Sequence, residues 1–150
     1  MTVNRLAAGV AATIMLTAGI AQAADVEVAK TPTCGCCSAW IDHLRDNGFE
    51  VTAYDVSAEQ LNAIKAGLDL DPALTSCHTA MVEGFFIEGH VPASDIRALL
   101  DESPANTRGL TVPGMPIGSP GMEMGDRKDA YETLLVDGNG ETRIYRRHHQ

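Results

Sequence analysis

"VEVAKTPTCGCCSAWIDHL", residues 26–44, holds the join on which the reading of the whole chain turns. Its first residues alternate apolar and charged, as a half-buried strand does. After the cysteines, Cys37, Trp40, Ile41 and Leu44 recur at i, i+3, i+4 and i+7, one apolar face of a helix that Asn47-Gly48 stops. Between strand and helix stand Cys34, Cys36 and Cys37, three thiols in four positions. A C-x-x-C pair suits a redox disulfide or half a zinc site, and here the pair has one thiol too many. At a helix start the free N–H groups favour an anion, so thiolate is easiest to make there. Disulfide exchange and metal binding both use thiolate, and the location alone does not choose between them.

Working outward, residues 49–56 form a second strand through the alternation of Phe49, Val51 and Ala53. Ser57 and Gln60 make a capping box that opens a helix with Leu61, Ile64 and Leu68 inward and Gly67 at its end. Residues 79–82 and 85–88 read as a hairpin across Glu83-Gly84, and Pro92 starts a helix with Ile96, Leu99 and Leu100 inward. The order βαβαββα implies a parallel pair with a right-handed crossover and an antiparallel edge hairpin. That is an α/β, thioredoxin-like arrangement with the cysteine loop between first strand and first helix. Residues 104–125 hold four prolines and five glycines with no helical or strand period, and are expected to be a long Gly/Pro/Met-rich loop. Residues 134–136 and 142–145 close the chain as a hairpin around "DGNG", and His148, His149 and Gln150 read as a frayed end.

The front of the chain reads as an export signal. Arg5 is followed by an apolar stretch over 6–20, and Ala21-Gln22-Ala23 gives the small-x-small pattern cut after Ala23. A spanning helix needs about 20 apolar residues, and this segment is shorter and ends in a cleavage pattern. The expected product is one domain, residues 24–150, in the bacterial periplasm, with no stable membrane insertion after cleavage. The whole chain carries a net charge of -9, and loss of Arg5 makes the remainder more acidic still. Such a balance disfavours nucleic acid and anionic lipid as partners.

All four cysteines follow the cleavage site. In an oxidising compartment the bland reading is structural stapling, but Cys34, Cys36 and Cys37 are too close in sequence for bridges that stabilise by closing long loops. In a thioredoxin-like fold the segment entering the third strand passes the cysteine loop, and here it carries Cys77 and His78. Met115, Met122 and Met124 cluster in the long loop, where no helix would bury them. Thiolate and imidazole alone allow zinc, with Cys34, Cys37, Cys77 and His78 as one tetrahedral set; thioethers shift the choice toward Cu(I). His90 is open between ligand, outer donor and polar turn residue. Met81 and Trp40 read as packing, and His43 as solvated. The leading expectation is a copper site with more than one ion, its sulfurs shared. Thiol-disulfide exchange by Cys34 and Cys37, and a zinc-binding structural module, are the alternatives.

The stretches "TPTCGCCSAW", "SCHTAMVEG", "IEGHVPASDIRALL" and "GLTVPGMPIGSPGME" together resemble the CopG-like periplasmic copper-resistance proteins, a family long catalogued as a domain of unknown function. The resemblance covers nearly all of the chain after residue 23. It implies a thioredoxin-like fold and a cysteine-bridged, multi-copper site in the periplasm. Carried over motif by motif, it implies Cys34, Cys36, Cys37 and Cys77 as ligands, with His78, His90, Met115 and Met122 matching the family's histidines and methionines. It further implies a role in copper tolerance, with Cu(I)/Cu(II) interconversion or electron transfer, and another periplasmic copper-handling protein as partner.

Overall fold

The computed structural model describes residues 23–150, so the expected export signal, Ala23 apart, lies outside the described residues. The strands are β1 (Asp25–Lys30), β2 (Glu50–Asp55), β3 (Thr79–Val82), β4 (Phe85–Glu88), β5 (Thr107–Thr111), β6 (Tyr131–Asp137) and β7 (Thr142–His148). The helices are α1 (Gly35–Asp46), α2 (Ala58–Gly67) and α3 (Ala93–Glu102), with a short 3-10 turn at Pro72–Leu74. The strands make one mixed sheet in the order β2-β1-β3-β4-β5-β6-β7. β1 and β2 are parallel, as the βαβ opening requires, and β3 runs antiparallel to β1.

The sheet is covered on both faces. Trp40, Ile41 and Leu44 of α1 and Ile96 and Leu99 of α3 share one core with Val26, Val28, Ile87, Leu110 and Leu135. Phe86 and Val136, the neighbours of Ile87 and Leu135 in their strands, point the other way and pack with Leu68, Leu70 and Leu74 of the segment after α2. The expected capping box forms: the Gln60 N–H donates to Ser57 Oγ at 3.1 Å, and the Ser57 N–H to Gln60 Oε1 at 2.8 Å.

Five expectations are corrected. The β3–β4 hairpin is not at an edge, because β5 adds parallel to β4; the edges are β2 and β7. That fifth strand lies inside residues 104–125, which therefore begin as sheet and become loop only beyond it. Its Gly109, Leu110 and Thr111 are all buried, and a strand covered on both faces needs no alternation to betray it. Gly109 is required there, since a Cβ would stand 2.0 Å from the Phe86 carbonyl oxygen. On α2, Leu61 is buried as expected, but Ile64 is 37% exposed and Lys65 takes the inward position. The end of the chain is not frayed at His148, which pairs with Tyr131 across β6–β7 and whose Nε2 lies 3.0 Å from the buried Asp95 carboxylate.

His43 is half-buried rather than solvated: its Nε2 accepts the Ala93 N–H at 3.1 Å, capping α3 where Pro92 has no side-chain cap to give. Among the described residues no helix is long and apolar enough to cross a membrane.

Candidate metal centre

The site gathers where four separate segments meet. Cys34 is the N-cap of α1; it makes no side-chain cap, and no acidic residue occupies the first turn. The N–H groups of that turn thus have neither a side-chain cap nor an acidic neighbour in the turn, and Cys37 lies buried one turn in. Cys77 and His78 enter β3, and His90 follows β4 after the tight turn at Gly89. Gly89 must be glycine: its φ is +73°, and a Cβ would meet Ser76 Cβ at 2.5 Å.

Cys34 and Cys37 are joined as a disulfide, with Cα atoms 5.3 Å apart. The pair is the one named for disulfide exchange, and the first turn of a helix brings residues i and i+3 within disulfide reach. Cys36 and Cys77 remain free. The Cys36 sulfur is 3.5 Å from Cys34 and 3.9 Å from Cys77, and Cys37 is 3.5 Å from Cys77. All four sulfurs lie within 4.8 Å of one another. A second group shares one of them: Cys77 Sγ is 3.4 Å from His78 Nδ1 and 3.1 Å from His90 Nε2.

The histidines are prepared in different ways. His90 is fully buried, and its Nδ1–H donates to the Pro120 carbonyl at 2.8 Å. That bond fixes the tautomer and leaves Nε2 a bare lone pair, which accepts from the Cys77 thiol. His78 is also fully buried, lies against the Trp40 ring at 4.3 Å, and has an Nε2 with no hydrogen-bond partner. Trp40 packs as expected and donates its indole N–H to the Val91 carbonyl at 2.8 Å.

Burial pushes His78 down to about 3, helped by His90 and Lys65 and opposed by the Gly89 backbone. Burial lowers His90 too, against pulls from the Pro120 carbonyl and Glu123. Both imidazoles are thus neutral at neutral pH, the form that ligates metal. Burial first, and the neighbouring Cys36 second, push the Cys77 thiol up to about 11, so that it holds its proton until a cation displaces it. Four sulfurs, two of them joined as the disulfide, and two neutral imidazoles, one with an orphaned buried Nε2, form a donor set that fits a soft metal once the disulfide is reduced.

The long loop docks at two points. The Gly114 N–H donates to the Thr75 carbonyl at 3.1 Å, and the Ser76 hydroxyl donates to the Gly114 carbonyl. Gly121, at φ +84°, lies so close on α1 that a Cβ would stand 2.6 Å from the Cys36 carbonyl and 2.7 Å from the Trp40 nitrogen. Met115 and Met122 each follow one of these docked glycines. Met115 is 53% exposed and Met122 half-buried, whereas Met124 is exposed in a bridged turn with Arg127. Met81, on β3, packs beside the Leu70, Phe86 and Val136 cluster, as expected.

Sequence reasoning missed Pro120, whose role is a backbone carbonyl and leaves no residue-type signal. It also missed Lys65, Glu88 and Ser76, which back the Cys77 segment. A charged residue at an inward position of a helix and another at the end of an apolar strand were the available sign.

A family described as "Protein of unknown function, DUF411" matches residues 74–122, which span Cys77, His78, His90, Met115 and Met122. The search of curated proteins gives no match. Two solved structures, titled copper resistance protein CopG, forms 2 and 1, are each 43% identical to the chain, with TM-scores of 0.78 and 0.77. They cover 84% and 83% of this chain, and 98% and 96% of their own length. Identity at that level over more than four fifths of the chain reflects descent as well as shape, and the chain belongs to the CopG family of copper resistance proteins.

Proposed function

We propose that this protein is a periplasmic copper-resistance protein that holds Cu(I) ions in a cysteine-bridged, multinuclear site on a thioredoxin-like scaffold. In this reading the chain is exported, cut after Ala23, and exchanges copper with another periplasmic copper-handling protein. The names of its solved relatives speak for copper, and so does the soft donor set. The observation that carries the plural is the double membership of Cys77, which belongs to the four-sulfur group and to the Cys77, His78 and His90 group. A thiolate has lone pairs for two metals, so one residue serving two donor sets suits two or more ions.

Cys34, Cys36, Cys37 and Cys77 would supply thiolates, His78 and His90 imidazole, and Met115 and Met122 thioethers from the loop. Copper, when bound, supplies the one-electron Cu(I)/Cu(II) couple, and interconversion of the two states is part of the proposal. The chain's own work is to keep the imidazoles neutral, hold the Cys77 proton until metal displaces it, and cover the sulfurs with the loop. Two electrons and two protons, taken from a thiol reductant, convert the Cys34–Cys37 disulfide into two thiols and complete the set of four.

Metal content of the protein after growth in copper, with a free-thiol count on the stripped form, tests this. More than one copper per chain with four titratable thiols is the expected result. Zinc in place of copper, or no metal at all, overturns it. One observation favours a second reading, thiol-disulfide exchange: the Cys34–Cys37 disulfide sits at a helix start with Cys34 half-exposed and Cys37 buried. Reductase activity surviving in Cys36→Ser, with a parent that binds no copper, would select it.

A further inference from the structure

Behind Cys77, where a small protein would ordinarily place apolar side chains, lies a buried ion pair. Glu88 is fully buried and Lys65 nearly so. The pair forms between Lys65 Nζ and Glu88 Oε1, and Lys65 Nζ also donates to Thr79 Oγ1 at 2.8 Å. The Thr79 hydroxyl donates in turn to Glu88 Oε2 at 2.6 Å, across the directly opposed Thr79 and Glu88 of the hairpin. One further donor completes the carboxylate: the Ser76 backbone N–H, 2.6 Å from Oε1. Replacing such a pair by apolar residues is often neutral or stabilising, so its presence asks for a reason other than stability.

The reason lies in what Ser76 holds. It precedes Cys77; its hydroxyl is 3.9 Å from the Cys77 sulfur and donates to the carbonyl of Gly114, the residue before Met115. The carboxylate of a central strand thus grips the backbone of the residue that precedes the shared sulfur and whose hydroxyl holds one docking point of the methionine loop. We propose that Glu88, charge-balanced by Lys65 and oriented by Thr79, is a positioning residue of the metal centre, which through the Ser76 N–H keeps Cys77 between the cysteine loop and the histidines. This rests on the copper reading for its purpose, although its geometry can be tested without metal.

The decisive comparison uses two double variants that both remove the ion pair. Lys65→Met with Glu88→Gln keeps an oxygen acceptor for the Ser76 N–H, and Lys65→Met with Glu88→Leu removes it. In reduced, metal-free protein, the Gln form should leave Cys77 as slowly alkylated as in wild type, measured against Cys36 by mass spectrometry. The Leu form should raise the Cys77 rate about tenfold, the factor that loss of one charge-assisted bond allows to local opening. With copper added, the Leu form should bind fewer ions per chain while the Gln form binds as wild type. Equal rates in the two variants, whether slow or fast, overturn the proposal, since the acceptor would then not matter.

If the Leu form does not fold, hydrogen exchange decides in the wild type. The Ser76 amide should be among the slowest in the segment before β3, and exchange at the rate of an open loop would overturn the assignment. A wild type that binds no copper, with alkylation and exchange as expected, would sink the copper reading and leave the positioning role standing.

Discussion

At the scale of single residues, the centre is organised around the sulfur that belongs to two donor sets. Cys77 lies 3.5 Å from Cys37 and 3.1 Å from His90 Nε2, so removing it damages both sets, whereas removing Cys36 or His78 damages one. Cys77→Ser is therefore expected to lose more copper per chain than any other single cysteine or histidine replacement, by metal analysis of folded protein. A loss no larger than that of His78→Gln would mean that the two sets do not share an ion-bridging sulfur. The thioethers make a different point. Met115→Leu with Met122→Leu should leave the sulfur count intact but weaken Cu(I) relative to Zn(II) in competition, since thioether selects the softer ion. Unchanged preference would remove both methionines from the site. The cysteines were legible in sequence by their crowding, whereas the methionines stand out there only as candidates, because a Gly/Pro stretch has no core to hide them. Pro120 was not legible, since it acts through a carbonyl that every residue has.

At the scale of elements, the helices are tied to one another by the histidine that sequence placed in solvent. His43 Nε2 accepts the first N–H of α3, and burial lowers its pKa from 6.5 against the pulls of Glu123 and Asp46. A base whose folded pKa is depressed binds fewer protons folded than unfolded, so its contribution is whole above about 6.5 and is lost as pH falls below it. His43→Asn should flatten part of the fall in wild-type stability below that pH, read from denaturation midpoints; an unchanged profile would exclude the cap as a source. The loop is tied more tightly still. Gly121→Ala puts a methyl group against the Cys36 carbonyl at a φ of +84°. The expected cost is about 1–3 kcal/mol, and the Pro120 carbonyl should move off His90. A thermal midpoint equal to wild type would show that the loop is free to shift. Local chemistry was readable at this scale: the capping box and the β3–β4 hairpin form where Ser57, Gln60 and Glu83-Gly84 predict them. Pairing at a distance was not. β5 carries no period because its two faces are both covered, and Lys65 displaced Ile64 from the inward position through a partner 23 residues away.

At the scale of the molecule, the sheet order turns scattered residues into one centre. Inserting β3 beside β1 brings Cys77 and His78 against the cysteine loop, and adding β5 beside β4 carries the chain back so that the following loop closes over it. The ligand candidates therefore come from segments near residues 34, 77, 90 and 115–122, and none of these groupings exists in an unfolded chain. Metal that binds only this arrangement stabilises the whole fold in proportion to its affinity, by about 4 kcal/mol at a thousandfold excess over Kd. The Cys34–Cys37 disulfide competes for the same sulfurs, since two of the four donors are tied up while it stands. Oxidised protein should therefore take up markedly less Cu(I) than protein reduced and freed of reductant. The reduced, loaded form should melt well above the reduced metal-free form. The disulfide alone should raise the midpoint less, because it closes a loop of only a few residues and removes little chain entropy. Equal copper uptake by oxidised and reduced protein would mean that Cys34 and Cys37 are not donors. The centre would then shrink to Cys36, Cys77 and the two histidines, with Cys77 still between the sulfur and histidine groups but with half the sulfurs gone.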